Sequence, residues 1–399
     1  MGDRIMATTI NADTSEGLKL TSDTSGELEL QSGGITQAKV TSSGLTDTSN
    51  NVITSQAGKN KIINGDMVID QRNVGASVTP AAGTYTLDRY RAYQNATGKF
   101  TLQQSSTAPV GFSNSVAITS TSAHTVAAGE LFLFMQYIEG YNVADLEYGT
   151  SDAQTITISF WIRSSLTGTF GGALLNGLES RNYPFTYTIS NADTWEKKSV
   201  TIAGDTTGTW EKTNGLGLQV NFSMGMGSTY SGTAGAWASG AKFSATGATS
   251  VVSTSGATWY MTGLQVEKGT TATPFENLLY GQQLSLCQRY FIKSYNEGVA
   301  IGSNTWEGTV AGRNYNPDSR TSHSVSMMFP VQMRANPTLL AYSKAGTSGK
   351  AVAGSTSIDA STGEGDCTIR GSANGIRGVD MSVSGTKFFQ FHFTASTEF

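Results

Sequence analysis

The clearest regular pattern in the sequence is an alternation of apolar and polar residues before the middle of the chain. Residues 155–163 read TITISFWIR, and every second side chain from Ile156 to Ile162 is apolar. Since successive side chains of a β-strand point to opposite faces, this pattern predicts a strand with one face against a hydrophobic core. Trp161 and Arg163 fall on the other face, which points away from that core.

Further runs of the same kind follow at short intervals, separated by clusters of Gly, Ser, Thr and Asn. Turn-forming residues between short strands, without a long helical pattern, are typical of an antiparallel β-sandwich. The sequence therefore predicts an all-β protein whose main sandwich is built around residues 156–275. The additional predicted strands are 185–189, 198–202, 216–222 and 258–266.

The first 58 residues have a different character, because they contain no aromatic residue, proline or cysteine. An apolar–polar–apolar triplet recurs at 18–20, 28–30 and 38–40, with turn-forming residues between the triplets. Hairpins this small bury too little apolar area to fold alone. The segment is therefore either a flexible tail or a β-rich segment ordered by association with identical copies. We favour association and predict a homotrimer.

One short helix is predicted near residue 280. Tyr280, Leu284, Cys287 and Phe291 recur at the spacing of one helical face. The helix is expected to end near Gln288, before a strand. Its apolar stripe indicates a linker helix that packs within the molecule, in preference to one that binds a partner helix.

Alternation returns near the end of the chain and predicts a second, smaller β-sandwich at 297–399. The alternating residues are Val325, Met327 and Phe329, and then Phe389, Phe391 and Phe393. Phe388 and His392 lie on the opposite face of the last strand. Both faces of that strand are therefore expected to be covered, either within the chain or across a subunit interface.

Charge and cysteine content narrow the classes of function. The 399-residue chain has a net charge of -4 and no cluster of Lys and Arg, so nucleic-acid binding is not expected.

The start of the chain lacks the apolar stretch of a signal peptide, and no apolar run approaches the roughly 18 residues of a membrane span. We therefore expect synthesis in a cytoplasm and no membrane insertion. Cys287 and Cys367 lie far apart in the sequence and are expected to be free thiols.

No motif of a known catalytic chemistry is present. His124, His323 and His392 are far apart and lack further ligands at metal-binding spacing, so neither a metal nor a cofactor is expected. A glycosidase needs only two carboxylates, and 30 acidic residues leave that reaction open. The chain is predicted not to be an enzyme, with polysaccharide degradation as the alternative.

Seven short pieces occur in order along the chain: 60–67 (NKIINGDM), 87–90 (LDRY), 159–165 (SFWIRSS), 193–198 (DTWEKK), 202–210 (IAGDTTGTW), 263–267 (GLQVE) and 272–276 (ATPFE). Together they resemble a module of bacteriophage tail fibres and other virion appendages, over roughly residues 59–295. That module is similar to the jelly-roll carbohydrate-binding modules of polysaccharide-degrading enzymes. The turn at 23–26 and the motif at 329–334 (FPVQMR) resemble other parts of phage fibres.

The resemblance implies four parts. They are an N-terminal assembly and attachment segment (1–58), a carbohydrate-binding-like jelly roll (59–278), a linker helix (279–296) and a C-terminal β-sandwich (297–399).

The resemblance also implies a function, that of a structural subunit of a virion appendage, in the tail or another external position, made in the host cytoplasm. The subunit would recognise host-surface polysaccharide or lipopolysaccharide by multivalent binding, and residues 1–58 would contact other virion proteins. Two alternatives stay open. One is a capsid-decorating fibre or other tail component without a receptor role, and the other is a polysaccharide depolymerase.

Five residues are candidates for glycan contact, because planar rings beside polar groups suit sugar binding. Trp161 and Arg163 share the outer face of the first predicted strand. Tyr183 lies in a predicted loop at 181–184, and Tyr230 and Trp237 lie in a Gly-rich run at 221–240 that is also predicted to be a loop.

Bulky aromatic residues also have a purely structural interpretation. Trp161 is alternatively expected to pack beneath the loop at 181–184, since large apolar groups are usually covered. Trp195, Trp210 and Trp259 are expected to be anchors of the sandwich core.

Overall fold

The computed structural model describes residues 28–32, 35–41, 44–46, 58–313, 322–354, 363–381 and 388–399. The chain divides into two compact units, Met1–Gly58 and Lys59–Phe399. The predicted triplet at 18–20 and the turn at 23–26 lie outside the described residues.

The described part of the chain is almost entirely β-structure, which confirms the predicted all-β class. Beside the strands, the described ranges contain one α-helix, α1 (Tyr280–Gln288), and two 3-10 helices, Gly140–Asn142 and Ala144–Leu146. The strands are β1 (Leu28–Ser32), β2 (Ile35–Thr41), β3 (Gly44–Thr46), β4 (Thr84–Tyr85), β5 (Tyr90–Gln94), β6 (Phe100–Ser105), β7 (Ser115–Ser120), β8 (Leu131–Glu139), β9 (Ile156–Ser164), β10 (Gly168–Asn176), β11 (Arg181–Ile189), β12 (Glu196–Ile202), β13 (Leu216–Met226), β14 (Ser231–Gly232), β15 (Ala238–Ser239), β16 (Ser244–Ala245), β17 (Thr258–Lys268), β18 (Phe291–Lys293), β19 (Val310–Arg313), β20 (Ser322–Met328), β21 (Thr338–Tyr342), β22 (Lys350–Gly354), β23 (Gly363–Ser372), β24 (Gly375–Met381) and β25 (Phe388–Ser396).

The N-terminal unit contains a three-stranded antiparallel sheet in the order β1-β2-β3. The triplets at 28–30 and 38–40 pair with each other, with Leu30 opposite Ala38, so the predicted hairpin is confirmed where the chain is described. Leu30 and Ile35 are 43% and 67% exposed. The sheet therefore leaves apolar side chains uncovered in a single chain.

The main sandwich consists of two antiparallel sheets, as predicted for a jelly roll. The seven-stranded sheet has the order β15-β11-β10-β13-β8-β5-β4, and the five-stranded sheet has the order β12-β9-β17-β7-β6. The inward side chains of β9, from Ile156 to Ile162, are fully buried between them. Phe160 makes edge-to-face contacts with Tyr187 and Phe222, at centroid distances of 5.1 and 5.2 Å. The period-two pattern thus predicted the inner face of β9 correctly.

A second hydrophobic core lies in the C-terminal part. Its antiparallel sheet has the order β18-β25-β22-β23-β24-β20, and β19 and β21 also pair with β25. Phe389, Phe391 and Phe393 of β25 are buried in this core. On the opposite face, His392 is buried and its ring stacks on Tyr295 at 3.8 Å. At His392, the second face of β25 is therefore covered within one chain.

The helix and the strand after it lie where the sequence predicts them. Cys287 of α1 is buried with Ile63, Ile69 and Tyr290 in a small hydrophobic cluster. Tyr280, at the start of α1, is 44% exposed, so the apolar stripe is buried only at its C-terminal end. Both cysteines are free and buried. Among the described residues, no helix has the length and apolar character needed to cross a membrane.

Two groups of ion pairs join the main sandwich to residues that follow it in the chain, one at the end of α1 and one near the end of the C-terminal part. Arg289 donates two hydrogen bonds to the Glu139 carboxylate, at 2.9 and 2.6 Å. Glu398 accepts hydrogen bonds from Arg72, at 3.0 Å, and from Arg89. Because Glu398 and Arg89 are almost fully buried, the end of the chain is fixed to the sandwich.

Candidate functional site

The five residues proposed for glycan contact lie in three separate places. Trp161 and Arg163 lie on the outer face of the five-stranded sheet. Tyr183, in β11 of the seven-stranded sheet, contacts Trp237 against the main core, with ring centroids 5.3 Å apart. Tyr230 packs against hydrophobic residues on the outer face of the seven-stranded sheet. The structure therefore does not bring the five residues into one site.

Trp237 anchors the loop that follows β13. Its indole N–H donates to the carbonyl oxygen of Ala203 at 2.7 Å. Its ring contacts Tyr148 and Trp210 edge-on, at centroid distances of 5.8 and 5.5 Å. Tyr183 adds a fourth ring to this cluster. These contacts within the chain account for both Tyr183 and Trp237 without a ligand.

Two loop predictions are wrong. Residues 181–184 belong to β11, where Pro184 pairs with Ala173 of β10. On the other side, β15 pairs only with Arg181 and Asn182, and at Pro184 a loop replaces the strand, with the Gly235 N–H donating to the Pro184 carbonyl oxygen at 2.9 Å. The missing N–H of Pro184 therefore costs no hydrogen bond between strands. Similarly, 221–226 forms the end of β13, and the loop begins only after it.

The structure also corrects two predictions about tryptophans. Trp161 does not pack beneath residues 181–184, because that segment is in the opposite sheet. Trp195 is not a core anchor, because it is only half-buried and contacts Tyr260, at 6.3 Å between centroids. Trp259 is fully buried and Trp210 is 9% exposed, so the anchor prediction is confirmed for these two.

The outer face of the five-stranded sheet carries a group of half-buried rings that we call the aromatic patch, made of Phe112, Trp161, Trp195 and Tyr260. Trp161 stands between Lys197 of β12 and Thr262 of β17 in the strand register, and Arg163 stands opposite Tyr260. The Arg163 guanidinium lies 5.1 Å from the centroid of the Tyr260 ring.

Gly263 leaves space for two rings of the patch, Phe112 and Trp161, beside the backbone of β17. It has a φ of +62° and lies where the register of β9 and β17 shifts. A Cβ atom at this position would lie 2.7 Å from the Phe112 ring and 3.2 Å from Cδ1 of Trp161. Only glycine therefore allows Phe112 and Trp161 to lie against the backbone here.

Asp193 fixes the orientation of Arg163. Arg163 donates from Nε to the backbone carbonyl oxygen of Asp193 at 2.9 Å, and from Nη2 to its carboxylate at 3.1 Å. A guanidinium carries five N–H groups, so others remain for a ligand. The surface thus combines flat apolar rings with fixed hydrogen-bond donors, which suits stacking on a sugar ring and bonding to its hydroxyls.

Three members of the patch, Phe112, Trp195 and Tyr260, are not among the residues that the sequence singles out for glycan contact. Trp195 is predicted as a core anchor instead. Tyr260 lies between the buried Trp259 and Met261, so the period-two pattern of β17 could have placed it on the outer face. Phe112 lies in a turn between β6 and β7, and no periodicity reports its direction. Within the described ranges, no three His, Cys, Asp or Glu side chains come together in a way that could hold a metal ion.

No protein-family model matches the sequence, and no curated protein matches it significantly. Solved structures of carbohydrate-binding proteins are similar to about half of the chain. A structure described as "CBM4 structure and function" is 17% identical and covers 52% of this chain and 98% of its own, with a TM-score of 0.26. The CBM22-1 xylan-binding domain from Paenibacillus barcinonensis is 10% identical, with coverages of 51% and 99% and a TM-score of 0.26. A putative sugar binding protein from Bacteroides thetaiotaomicron is 12% identical, with coverages of 53% and 100% and a TM-score of 0.31.

Proposed function

We propose that this chain is a structural, non-enzymatic subunit of a bacteriophage appendage, and that it binds host-surface glycans through the aromatic patch. The observation that carries the glycan proposal is the group of half-buried rings beside the fixed guanidinium of Arg163. A cluster of apolar rings on a protein surface usually marks an interaction site, whereas a single exposed ring does not. The virion assignment is supported by the seven sequence pieces that resemble phage appendage proteins.

Multivalency supplies the affinity that one patch lacks. A shallow surface with a few rings binds a sugar weakly, whereas linked copies bind the same cell surface far more strongly. The exposed Leu30 and Ile35 of the N-terminal sheet support association between copies, since a sheet this small needs further burial. We propose that residues 1–58 trimerise the chain and attach it to other virion proteins.

The glycan proposal is tested with single substitutions in the patch. Trp161→Ala and Tyr260→Ala are expected to weaken binding to host lipopolysaccharide or capsular polysaccharide about ten-fold each, or about 1.4 kcal/mol. Trp306→Ala is the matched control, because Trp306 is also half-buried and also has a cation, Lys344, 3.7 Å from its ring centroid. The patch is not the binding site if both patch variants bind like the wild type.

Separate measurements test the two alternative functions and the position of the chain on the particle. Release of oligosaccharides from host polysaccharide by the purified protein would show a depolymerase. Wild-type protein that does not bind host cells at all would favour a fibre without a receptor role. Electron microscopy of the particle would locate residues 1–58 on a head or on a tail.

The oligomeric state is tested by analytical ultracentrifugation. The full chain is expected to sediment as a trimer at micromolar concentration, and a variant lacking residues 1–58 as a monomer. A compact monomer of the full chain would contradict the proposed assembly.

A further inference from the structure

A cavity of about 270 Å³ lies where the start of the main sandwich, helix α1 and the first residues of the C-terminal part meet. It shares no residue with the aromatic patch. Its wall mixes apolar and polar groups from all three segments. Its polar and aromatic residues include Asp70, Tyr280, Gln288, Lys293, Tyr295 and Glu297.

Several hydrogen-bonding groups in this wall have capacity to spare. Lys293 donates one hydrogen bond, to the carbonyl oxygen of Val299 at 2.6 Å, and an ammonium has three N–H groups. Glu297 accepts a hydrogen bond from the hydroxyl of Tyr280, which occupies one of its two carboxylate oxygens. Gln288 is half-buried, and its amide makes no hydrogen bond with any residue that the structure describes.

Tyr295 contributes a fixed aromatic ring to the wall. It is only 3% exposed, and the backbone of Gly302 lies beside its hydroxyl. Its ring is held in place by stacking on His392.

The charge and size of the cavity restrict the ligand. Asp70 and Glu297 place two carboxylates in the wall against the single ammonium of Lys293. Asp70 accepts backbone N–H groups from Asn73 and Gly75, at 2.9 and 2.7 Å, which fixes its position. Burial lowers the pKa of Lys293, against the opposing effect of nearby carboxylates. Acidic sugars and phosphates are therefore disfavoured. The volume is slightly below the ~300–1,000 Å³ of typical sites for drug-sized molecules, which suits one sugar ring.

We propose that this cavity is a second binding site, which takes a single neutral hexose ring, as a free sugar or as the terminal residue of a glycan. The Gln288 amide and the Lys293 ammonium bind its hydroxyls, and the Tyr280 ring packs against it. The site stands independently of the aromatic patch, so either can exist without the other.

Calorimetric titration of the full-length protein with glucose, galactose, mannose and glucuronate tests the site. At least one neutral hexose is expected to bind saturably, and glucuronate at least ten-fold more weakly. Gln288→Ala and Lys293→Met are each expected to weaken the hexose at least ten-fold. Gln288 is a half-buried helix residue, and its replacement by Ala is expected to keep the fold. Gln288→Ala therefore tests the site even if Lys293→Met does not fold.

Two controls separate this site from the rest of the molecule. Gln332→Ala removes an exposed glutamine that does not line the cavity, and Trp161→Ala disrupts the aromatic patch. Both are expected to leave hexose binding unchanged. The proposal is overturned if no neutral hexose binds at up to about 10 mM, if glucuronate binds as tightly, or if Gln288→Ala leaves binding intact. A Trp161→Ala variant that loses polysaccharide but keeps hexose binding supports both sites.

Discussion

Position 263 shows how one residue controls the arrangement of two aromatic rings. Gly263→Ala would place a methyl group against Phe112 and Trp161 and would strain a φ of +62°. We expect a loss of about 1–2 kcal/mol in the free energy of unfolding, and glycan binding weakened as the rings move apart. Denaturant unfolding, tryptophan fluorescence and polysaccharide binding measure these effects.

Gly256→Ala is the control for the backbone part of that effect. Gly256 has a similar φ of +73°, but a Cβ there would meet nothing within 4 Å. We expect a smaller loss of stability, from the backbone strain alone, with unchanged binding. Equal binding by the two variants would show that the ring positions do not matter.

The Glu139 carboxyl is expected to make the free energy of unfolding depend on pH. Burial alone would raise the pKa of its carboxyl, but hydrogen bonds from Arg289 and Tyr290 outweigh burial and lower the pKa below its usual 4.5. The unfolded chain therefore binds this proton more readily than the folded chain. The stabilisation is complete above pH 4.5 and is lost as the pH falls through the lower folded-state pKa.

The difference between wild type and Glu139→Gln isolates this contribution. At neutral pH we expect the variant to be less stable by about 1–2 kcal/mol, since hydrogen bonds to charged groups contribute ~1.5–3 kcal/mol and Arg289 is partly exposed. The gap should narrow in acid. Urea unfolding across this pH range checks it, and a gap that widens in acid would contradict the assigned direction of the pKa.

At the scale of elements, strand β9 presents two faces with different roles. Phe160→Ala removes a fully buried ring and is expected to cost about 3–5 kcal/mol. Trp161→Ala, one position further on the outer face, is expected to cost less than about 1 kcal/mol while it weakens glycan binding. Chemical denaturation of both variants tests this division. Similar losses of stability would mean that the outer face of β9 is a second packing surface.

At the scale of the whole molecule, Glu398 links the end of the chain to the main sandwich. Glu398→Ala would leave Arg89, which is 1% exposed, without its carboxylate partner. Removing one member of a buried pair costs about 3–5 kcal/mol. We expect the two cores of residues 59–399 to unfold less cooperatively, which calorimetry would detect as a broadened or split transition.

An exposed ion pair provides the control for Glu398. Lys350 and Asp366 lie 2.7 Å apart, and the Asp366 side chain is 75% exposed. Asp366→Ala is expected to change the free energy of unfolding by no more than about 1 kcal/mol. If Glu398→Ala has as small an effect as Asp366→Ala, the buried pair does not hold the two parts together.

The sequence by itself determined the class of fold, the inward face of β9, the short helix and the alternating phenylalanines of β25. These features depend on local periodicity, which reports which side of an element is apolar. The sequence places residues 181–184 in a loop, because no periodicity there shows that they pair with β10.

Only the tertiary structure decided which side chains form a surface together. The aromatic patch joins residues from four separate segments, around 112, 161, 195 and 260, and it excludes Tyr183, Tyr230 and Trp237. The cavity likewise needs residues near 70 and near 290. Strand pairing brings these segments together through long-range packing, and no pattern within one segment carries that information.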